Sequence, residues 1–257
     1  MVDTPRRAFL SRLAVGTGAV LLAGCDKISQ SAGASTVLQR GSDLAYRAQR
    51  LLAGPNALAR EYSKADIAPV FRGNGTLNPD TDSYNAHVAT GFRDWRVTVT
   101  GLVENPLSLS LKDLRAIPAR SQITRHDCVE GWSCIGQWTG APLRQILARA
   151  RPRDTARYVI FHCADDMSRG RDEAQLYYES LDLTEALHPQ TLLAYDLNGK
   201  PLPVTNGAPV RLRAERQLGY KMAKYVTGIE LVESFAQIRG GKGGYWEDQG
   251  YSWWGGI

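Results

Sequence analysis

The chain has 257 residues, 43% of them hydrophobic, with six Trp, eleven Tyr and a formal charge of +5. That length permits one large domain or two small ones, with enough apolar mass for a core. The charge is too mild and too mixed along the chain to point to nucleic acid.

The first residues read Thr4-Pro5-Arg6-Arg7-Ala8-Phe9-Leu10, and an apolar run follows that ends Leu22-Ala23-Gly24-Cys25. An arginine pair ahead of a short apolar stretch resembles a twin-arginine export signal. The stretch 13–24 is shorter than the ~20 residues of a spanning helix. It also contains Gly16, Gly18 and Gly24, which weaken a helix. Leu-Ala-Gly-Cys has the form of a lipobox. Residues 1–24 are therefore expected to be a signal peptide and Cys25 the lipid attachment residue. The body is expected on the periplasmic side of the inner membrane or elsewhere in the cell envelope, tethered to the membrane by that anchor. Asp26 resembles an inner-membrane retention signal.

Residues 25–81 read as a tether and accessory segment. The small polar stretch 29–36 suits a flexible tether. A helix is expected to begin near Ser42, whose side chain can cap it. Leu44, Ala45, Ala48, Leu51 and Leu52 form its apolar stripe, and Gly54 suits its stop. Gly and Pro breaks across 68–82 predict a surface wrap.

A mixed body spans 82–235. Residues 95–100 alternate, with Trp95, Val97 and Val99 on one face. Ser110 can cap a short helix over 111–117, stopped by Pro118. Pro142 suits a helix start, with Leu143, Ile146, Leu147 and Ala150 at helical spacing. Residues 157–163 read as a buried strand. Segments 192–197 and 200–204 flank Asn198-Gly199 as a hairpin with a type I′ turn. Further strands are expected at 210–212 and 225–232. Strands do not alternate strictly with long helices, which favours an α+β fold. The tail 236–257 is rich in glycine and aromatics. Tyr245, Trp246, Tyr251, Trp253 and Trp254 are expected to fold back on the core rather than dock a redox partner.

Beyond Cys25 the cysteines are Cys128, Cys134 and Cys163, an odd number that cannot all pair within the chain. No C-x-x-C-H run and no four-cysteine cluster is present, which argues against covalent haem and an iron–sulfur centre. The usual close ligand pairs of a zinc site are missing too. A Cys128 thiolate is a soft donor suited to a high-valent metal already held by sulfur. The plainer readings are a core thiol or a Cys128–Cys134 disulfide.

The segment Cys128-Val129-Glu130-Gly131-Trp132-Ser133 resembles the molybdenum-ligand motif of the sulfite oxidase family. Within that family it is most similar to the catalytic subunits of periplasmic protein-methionine-sulfoxide reductases. Tyr84-Asn85, Asn206-Gly207-Ala208-Pro209-Val210-Arg211 and Leu218-Gly219-Tyr220-Lys221-Met222-Ala223-Lys224 resemble further motifs of those reductases, in the same order. The resemblance covers roughly residues 82–235. It implies a sulfite-oxidase-like molybdopterin-binding fold with mixed β-sheets. It also implies a molybdenum-dependent oxidoreductase carrying out two-electron oxygen-atom transfer, with S-oxide reduction ahead of sulfite oxidation. Cys128 becomes the metal ligand and catalytic residue. Asn85, His87, Val88, Cys163, Asn206, Arg211, Met222, Ala223 and Lys224 become contacts to a nucleotide-free molybdopterin.

Those residue types suit that role. Arg211 can clamp a phosphate with its fork of donors, and Lys224 adds a point charge. Amides around Met222 and Ala223 can complete an anion cradle. Asn85 and Asn206 both donate and accept, as pterin edges require. Read without the resemblance, Arg211 and Lys224 are a solvated strand face and Asn206-Gly207 a turn. Cys163 falls where the reductases have a threonine near molybdenum, and Cys134 has no counterpart, which makes it a core or loop thiol. The Ala-Gly-Asn-Arg run of sulfite-oxidising relatives is replaced here by Val129-Glu130-Gly131-Trp132. Arg125, Arg169, Arg171 and Arg213 offer positive charge for sulfite, but no spacing places them together. No counterpart of the sulfite oxidase dimerisation domain follows Val232, so a monomer is expected. Electrons are expected to pass through a separate protein, a membrane haem protein or a soluble cytochrome, and the substrate to be a small-molecule or peptide S-oxide. The competing readings are a sulfite dehydrogenase and a non-catalytic envelope binding protein.

Overall fold

The computed structural model describes residues 32–168 and 174–257. The expected signal peptide, Cys25, Arg169 and Arg171 lie outside the described residues. The chain divides into two compact units, Met1–Gln49 and Arg50–Ile257.

Helix α1 (Ala32–Ala53) begins ten residues before Ser42 and takes up part of the stretch read as a tether. Ala32 and Ala34 belong to the residue type that costs least to hold in a helix. It stops where expected. Gly54 takes φ +72° and its N–H donates to Arg50 O at 3.1 Å, the left-handed cap that glycine adopts without a Cβ penalty. The expected stripe is not packed, for Leu44, Leu51 and Leu52 are all exposed. No helix among the described residues is long and apolar enough to cross a membrane.

The second unit then runs α2 (Asp82–Ala89), β1 (Arg96–Gly101), β2 (Leu107–Ser110), α3 (Leu111–Ala116), β3 (Arg120–Cys128), β4 (Trp132–Pro142), α4 (Leu143–Ala150), β5 (Tyr158–Asp166) and β6 (Leu176–Asp182). It continues with α5 (Leu183–Ala186), β7 (Leu192–Leu197), β8 (Lys200–Pro201), β9 (Arg211–Arg213), β10 (Val226–Val232) and α6 (Tyr245–Asp248). One sheet has the order β2-β1-β10-β5-β6. It is mixed, because β1 runs parallel to β10 while its other pairs are antiparallel. The other sheet orders β3-β4-β7-β8, with β9 also paired to β7. This is the expected α+β arrangement, with one mixed sheet and one antiparallel sheet.

The periodicities explain the layers. Val97 and Val99 of β1 are fully buried, and Trp95 just ahead of it is 3% exposed. On α4, Leu143, Ile146, Leu147 and Ala150 all reach zero exposure. Each such large apolar side chain contributes about 1.5–3 kcal/mol by leaving water. They join Val159, Phe161, Ile229 and Leu231 in the main core. A smaller cluster of Phe71, Cys134, Trp138, Ala194, Leu197 and Leu202 packs against the second sheet. Asn198 and Gly199 take φ +51° and +75°, the turn expected between β7 and β8. Strand β8 is shorter than expected, since Pro201 and Pro203 lack the N–H a ladder needs. Cys128, Cys134 and Cys163 are free thiols, so no Cys128–Cys134 disulfide forms.

One backbone approach lets the second sheet close. Gly140 of β4 pairs with Ala194 of β7 beside a register shift. A Cβ on Gly140 would lie 2.2 Å from Leu193 O and 2.6 Å from Ala194 Cα. We expect Gly140→Ala to destabilise the protein by about 2–3 kcal/mol, because rigid backbone must move. In thermal unfolding that is a fall in Tm of about 5–10 °C. Gly41→Ala, where nothing lies within 4 Å of the added Cβ, is expected to leave Tm unchanged or raise it.

Candidate active site

Strands β3 and β4 form a hairpin whose tip presents Cys128. Cys128 pairs with Trp132, and the Gly131 N–H donates to Cys128 O at 3.0 Å. Gly131 takes φ +85°, which suits glycine at this tight reversal. The Trp132 indole donates to Glu130 Oε2 at 2.9 Å, steadying the tip. Cys128 is half-buried, and burial pushes its thiol up from the usual range.

The thiol opens on a cleft of roughly 700 Å³. The hairpin contributes Cys128, Val129 and Glu130 to its lining, and the segment before α2 contributes Asn74, Gly75 and Thr76. Asp165, Met167 and Tyr177 come from the ends of β5 and β6. Gly219, Tyr220, Met222 and Lys224 form another side, and Trp246 and Tyr251 arrive from the C-terminal tail.

Positive charge gathers behind this wall. Lys224 is 7% exposed, and its Nζ donates to Asn74 O at 2.7 Å and to Thr76 O. Burial, then the charge of Arg211, pushes its pKa down to about 7. Arg211 is fully buried and donates to Asn206 O at 3.0 Å and Met222 O at 3.2 Å. Burial and then Arg213 bring it down to about 9. Neither cation forms an ion pair among the described residues. Asp165 lies near Lys224, and burial raises its pKa against the pull of that lysine and a hydrogen bond with Thr76.

Arg213 is different. It makes a buried bidentate pair with Glu215, at 2.9 and 2.6 Å, and donates to His126 Nδ1 at 3.0 Å. Burial, then Arg213 and Arg211, hold the His126 pKa well below its usual value. The Arg211 and Arg213 guanidiniums both lie over the Trp138 ring, at 5.0 and 4.4 Å.

Several buried polar atoms here have no protein partner: Asn74 Oδ1, Asp165 Oδ1, Asn206 Nδ2, Arg211 Nε and His126 Nε2. Each such atom costs about 1–3 kcal/mol if left unmet. Donors and acceptors are both among them, two of the neighbouring groups are basic side chains with no ion pair among the described residues, and a thiol faces the same space. A ligand with hydrogen-bonding edges, an anionic end and a thiophilic metal meets all three demands. The donor set therefore fits a molybdenum-bearing molybdopterin.

The expected site residues divide into three groups. Cys128, Met222 and Lys224 line the cleft itself. Asn206, Arg211 and Ala223 are buried beside it, joined by the Arg211 bonds to Asn206 O and Met222 O. Cys163 is 1% exposed in the main core, its thiol pushed well up by burial. Strand alternation puts it on the face shared with Asp165, which does reach the cleft. Asn85, His87 and Val88 are not brought to the cleft. Asn85 and Val88 are exposed on one side of α2, with Asn85 Nδ2 donating to Asp80 Oδ1 at 3.2 Å. His87 turns the other way, its ring 5.1 Å from that of Trp95. Helical spacing cannot point all three in one direction. Helix α2 is tied to the Asn206–Arg211 loop through Tyr84, whose hydroxyl donates to Ala208 O at 2.7 Å.

Residues 74–76, Asp165, Met167 and Tyr177 carried no motif, and of these only Asp165 had a signal, two residues beyond Cys163 on an alternating strand. Trp246 and Tyr251 stood out in the sequence as part of the aromatic tail, without a link to the cleft. Arg125 is exposed and paired with Asp127, so neither it nor Arg213 adds charge to the cleft.

Residues 85–237 match the family described as "Oxidoreductase molybdopterin binding domain". The chain is 39% identical over 98% of its length to a putative protein-methionine-sulfoxide reductase subunit YedZ1 of Azospira oryzae, covering 87% of that protein. It is 42% identical over 61% of its length to the protein-methionine-sulfoxide reductase catalytic subunit MsrP of Xanthomonas campestris. The MsrP of Campylobacter jejuni is 36% identical over 55% of the chain. The chain spans about half the length of these two MsrP proteins, 51% and 50%. Among solved structures it is similar to the sulfane dehydrogenase SoxCD of Paracoccus pantotrophus, with a TM-score of 0.49 and 20% identity over 58% of this chain and 40% of that one. A thiol and buried basic and polar groups around one cleft agree with the match over residues 85–237, and this chain belongs to the molybdopterin-binding oxidoreductase family, as a molybdenum-dependent oxidoreductase.

Proposed function

We propose that this protein reduces S-oxides, methionine sulfoxide in peptides among them, in the cell envelope. The observation that carries the reading is the lining of the cleft. Lys224 is the only basic residue among the described residues that line it, and its ammonium is already engaged by two carbonyl oxygens. Glu130 and Asp165 add carboxylates to the same lining. Sulfite is a dianion that needs clustered positive charge. A neutral S-oxide needs an open cleft and a hydrogen-bond donor. The names of the relatives, reductases of protein methionine sulfoxide, agree with this choice.

The balanced reaction converts R₂S=O, two electrons and two protons into R₂S and water. When bound, molybdenum supplies the two-electron oxygen-atom transfer. Cys128 would hold the metal as a thiolate, Arg211 and Lys224 the phosphate end, and Asn206 a pterin edge through Nδ2. Asp165 lines the cleft, and burial raises the pKa of its carboxyl, which makes it the candidate proton carrier there. The protein thus binds, orients and delivers protons, and the cofactor carries the redox step. Electrons come from a separate redox protein, a membrane haem protein or a soluble cytochrome. The lipobox at Cys25 and the arginine pair at Arg6 and Arg7 support export of the folded, loaded enzyme and its tethering at the membrane.

Elemental analysis of protein matured with molybdenum is expected to find about one atom per chain, as a single ligand thiol implies. Cys128→Ser should keep the fold and lose more than about 100-fold in turnover, since losing outer partners of a metal already costs 10–100-fold. Wild-type enzyme should reduce S-oxides with reduced viologen faster than it oxidises sulfite with ferricyanide. Sulfite oxidation without S-oxide reduction would refute the reading.

Lys224 yields a pH test on the cofactor-free chain. Its pKa is lowered from 10.5 to about 7 on folding. Between those values the unfolded chain binds more protons than the folded one, so stability rises with pH across that window. The slope is at most about 1.4 kcal/mol per pH unit. Urea unfolding at pH 7 and pH 9 should show wild type gaining stability relative to Lys224→Met. Parallel pH profiles for the two would show that Lys224 is not held in a desolvated site.

Mass spectrometry of the envelope-bound protein is expected to find diacylglyceryl on Cys25, and Cys25→Ser should release it to the soluble envelope fraction. A mature amino terminus elsewhere, without lipid, would remove the anchor from this account.

A further inference from the structure

The C-terminal tail does more than cover the core. Trp246 and Tyr251 line the same cleft as Cys128, and their rings lie 5.3 Å apart at 30°. A tight turn presents them together. The Tyr251 N–H donates to Trp246 O at 3.0 Å and the Gly250 N–H to Glu247 O at 2.9 Å, with Gly250 at φ +106°. Tyr220, also on the cleft, meets Tyr251 edge-on at 5.4 Å. Tyr251 remains 42% exposed, and Trp246 is half-buried. Both rings thus keep open surface where the cleft meets solvent.

Between these two rings and the core sits a buried ion cluster. Glu247 of α6 is fully buried and accepts from Lys221 Nζ at 2.5 Å. Lys221 Nζ also donates to Glu179 of β6, which is likewise fully buried. Lys221 closes the short turn Gly219–Lys221, whose first two residues line the cleft. Such a cluster is weak as a source of stability and strong as a device for register, since removing one partner strands a buried charge. Asp248 adds an acceptor for Tyr178 Oη at 2.5 Å and for the Gly240 and Lys242 N–H groups at 3.1 Å each. Beyond the rings, the Leu218 N–H donates to Gly255 O at 2.7 Å. The tail is therefore fastened on both sides of Trp246 and Tyr251, with Glu247 buried and both aromatic residues in the lining of the cleft.

We propose that Trp246 and Tyr251 are specificity-determining residues that form an aromatic wall for the apolar groups flanking the sulfur of a methionine-sized S-oxide. The inference rests on the reading of the site as an S-oxide reductase and names the part of the substrate that the tail recognises. Cys128 and Lys224 address the metal and the anionic end of the cofactor. The two rings offer apolar surface to the methyl and methylene groups, with polar atoms only at Trp246 Nε1 and the Tyr251 hydroxyl, and the thioether product gains a favourable sulfur contact beside a ring edge. Met167 and Tyr177 extend the apolar lining on the facing side. A side chain with a methyl and two methylenes spans such a wall, whereas dimethyl sulfoxide is too short to use it fully.

Steady-state kinetics of the molybdenum-loaded enzyme with reduced viologen tests this, with a methionine-sulfoxide peptide and dimethyl sulfoxide as the two substrates. Withdrawing roughly 60 Å² of apolar contact corresponds to about tenfold in affinity. Tyr251→Ala and Trp246→Ala should each raise KM for the peptide about tenfold. kcat should stay within about twofold, and KM for dimethyl sulfoxide should move by less than about threefold. Tyr251→Phe and Trp246→Phe should restore the wild-type KM. Tyr251 is exposed, so its variants decide the matter even if Trp246→Ala does not fold. Wild-type turnover with unchanged peptide KM in Tyr251→Ala, or equal rises for both substrates, would overturn the wall while leaving the reductase reading intact. A molybdenum-loaded wild type that reduces neither S-oxide overturns the reductase reading, and the wall with it.

Discussion

Arg211 and Lys224 are buried basic groups that form no ion pair among the described residues, and the rest of the site is arranged around them. A charge taken out of water without a partner is costly unless a ligand supplies the partner. The fold tolerates the pair by giving each cation backbone carbonyls instead of carboxylates: Asn206 and Met222 for Arg211, Asn74 and Thr76 for Lys224. Carbonyls satisfy the donors without neutralising them as an ion pair would, and burial brings Lys224 down to about 7, so an anionic ligand would favour its charged form. That is the condition for holding an anionic cofactor without a competing side chain. The segment 74–76, which reads from sequence as a loose wrap, is drawn into the site by this arrangement.

Cys128 depends on a different constraint. Nine consecutive pairs between β3 and β4 set the hairpin register, from Arg120 with Gly140 to Cys128 with Trp132. Because side chains alternate along a strand, a slip of one residue would turn Cys128 away from the cleft and expose His126. His126 is held by Arg213 Nη1 and lies against Gly219, so it anchors the register from inside the core. Gly140 at the far end allows β4 to approach β7. The thiol at the tip is thus aimed by contacts spread over the whole hairpin.

The tail links the two. Lys221 belongs to the turn that lines the cleft and ends one residue before Met222, whose carbonyl holds Arg211. Its buried contacts to Glu179 and Glu247 connect β6, that turn and α6 in one charge cluster. Cofactor wall and aromatic wall consequently share a foundation, and a disturbance of α6 would reach Met222 through the turn.

Much of this was legible in the residues, and what was not has a common reason. Local patterns determined α4 through the spacing of Leu143, Ile146, Leu147 and Ala150, the turn at Asn198-Gly199, and the alternation of β1. Each of these rests on interactions within a few residues. The motif around Cys128 and the segments at Asn206 and Lys224 marked the cofactor region, because donors and acceptors of a defined kind recur there. What α2 does with Asn85, His87 and Val88 was not legible, since helix orientation is set by Tyr84 reaching Ala208 and by His87 packing on Trp95. The start of α1 was missed because small polar residues suit both a tether and a helix. That Asp165, Trp246 and Tyr251 share one cleft shows only after folding, for they lie far apart in the chain and no periodicity joins them. The order of residues was enough for the fold class and the family, because both rest on patterns and motifs written along the chain. Which basic groups go without an ion pair among the described residues, and which side chains share the cleft, emerges only on folding, because both depend on contacts between residues 26 to 150 positions apart.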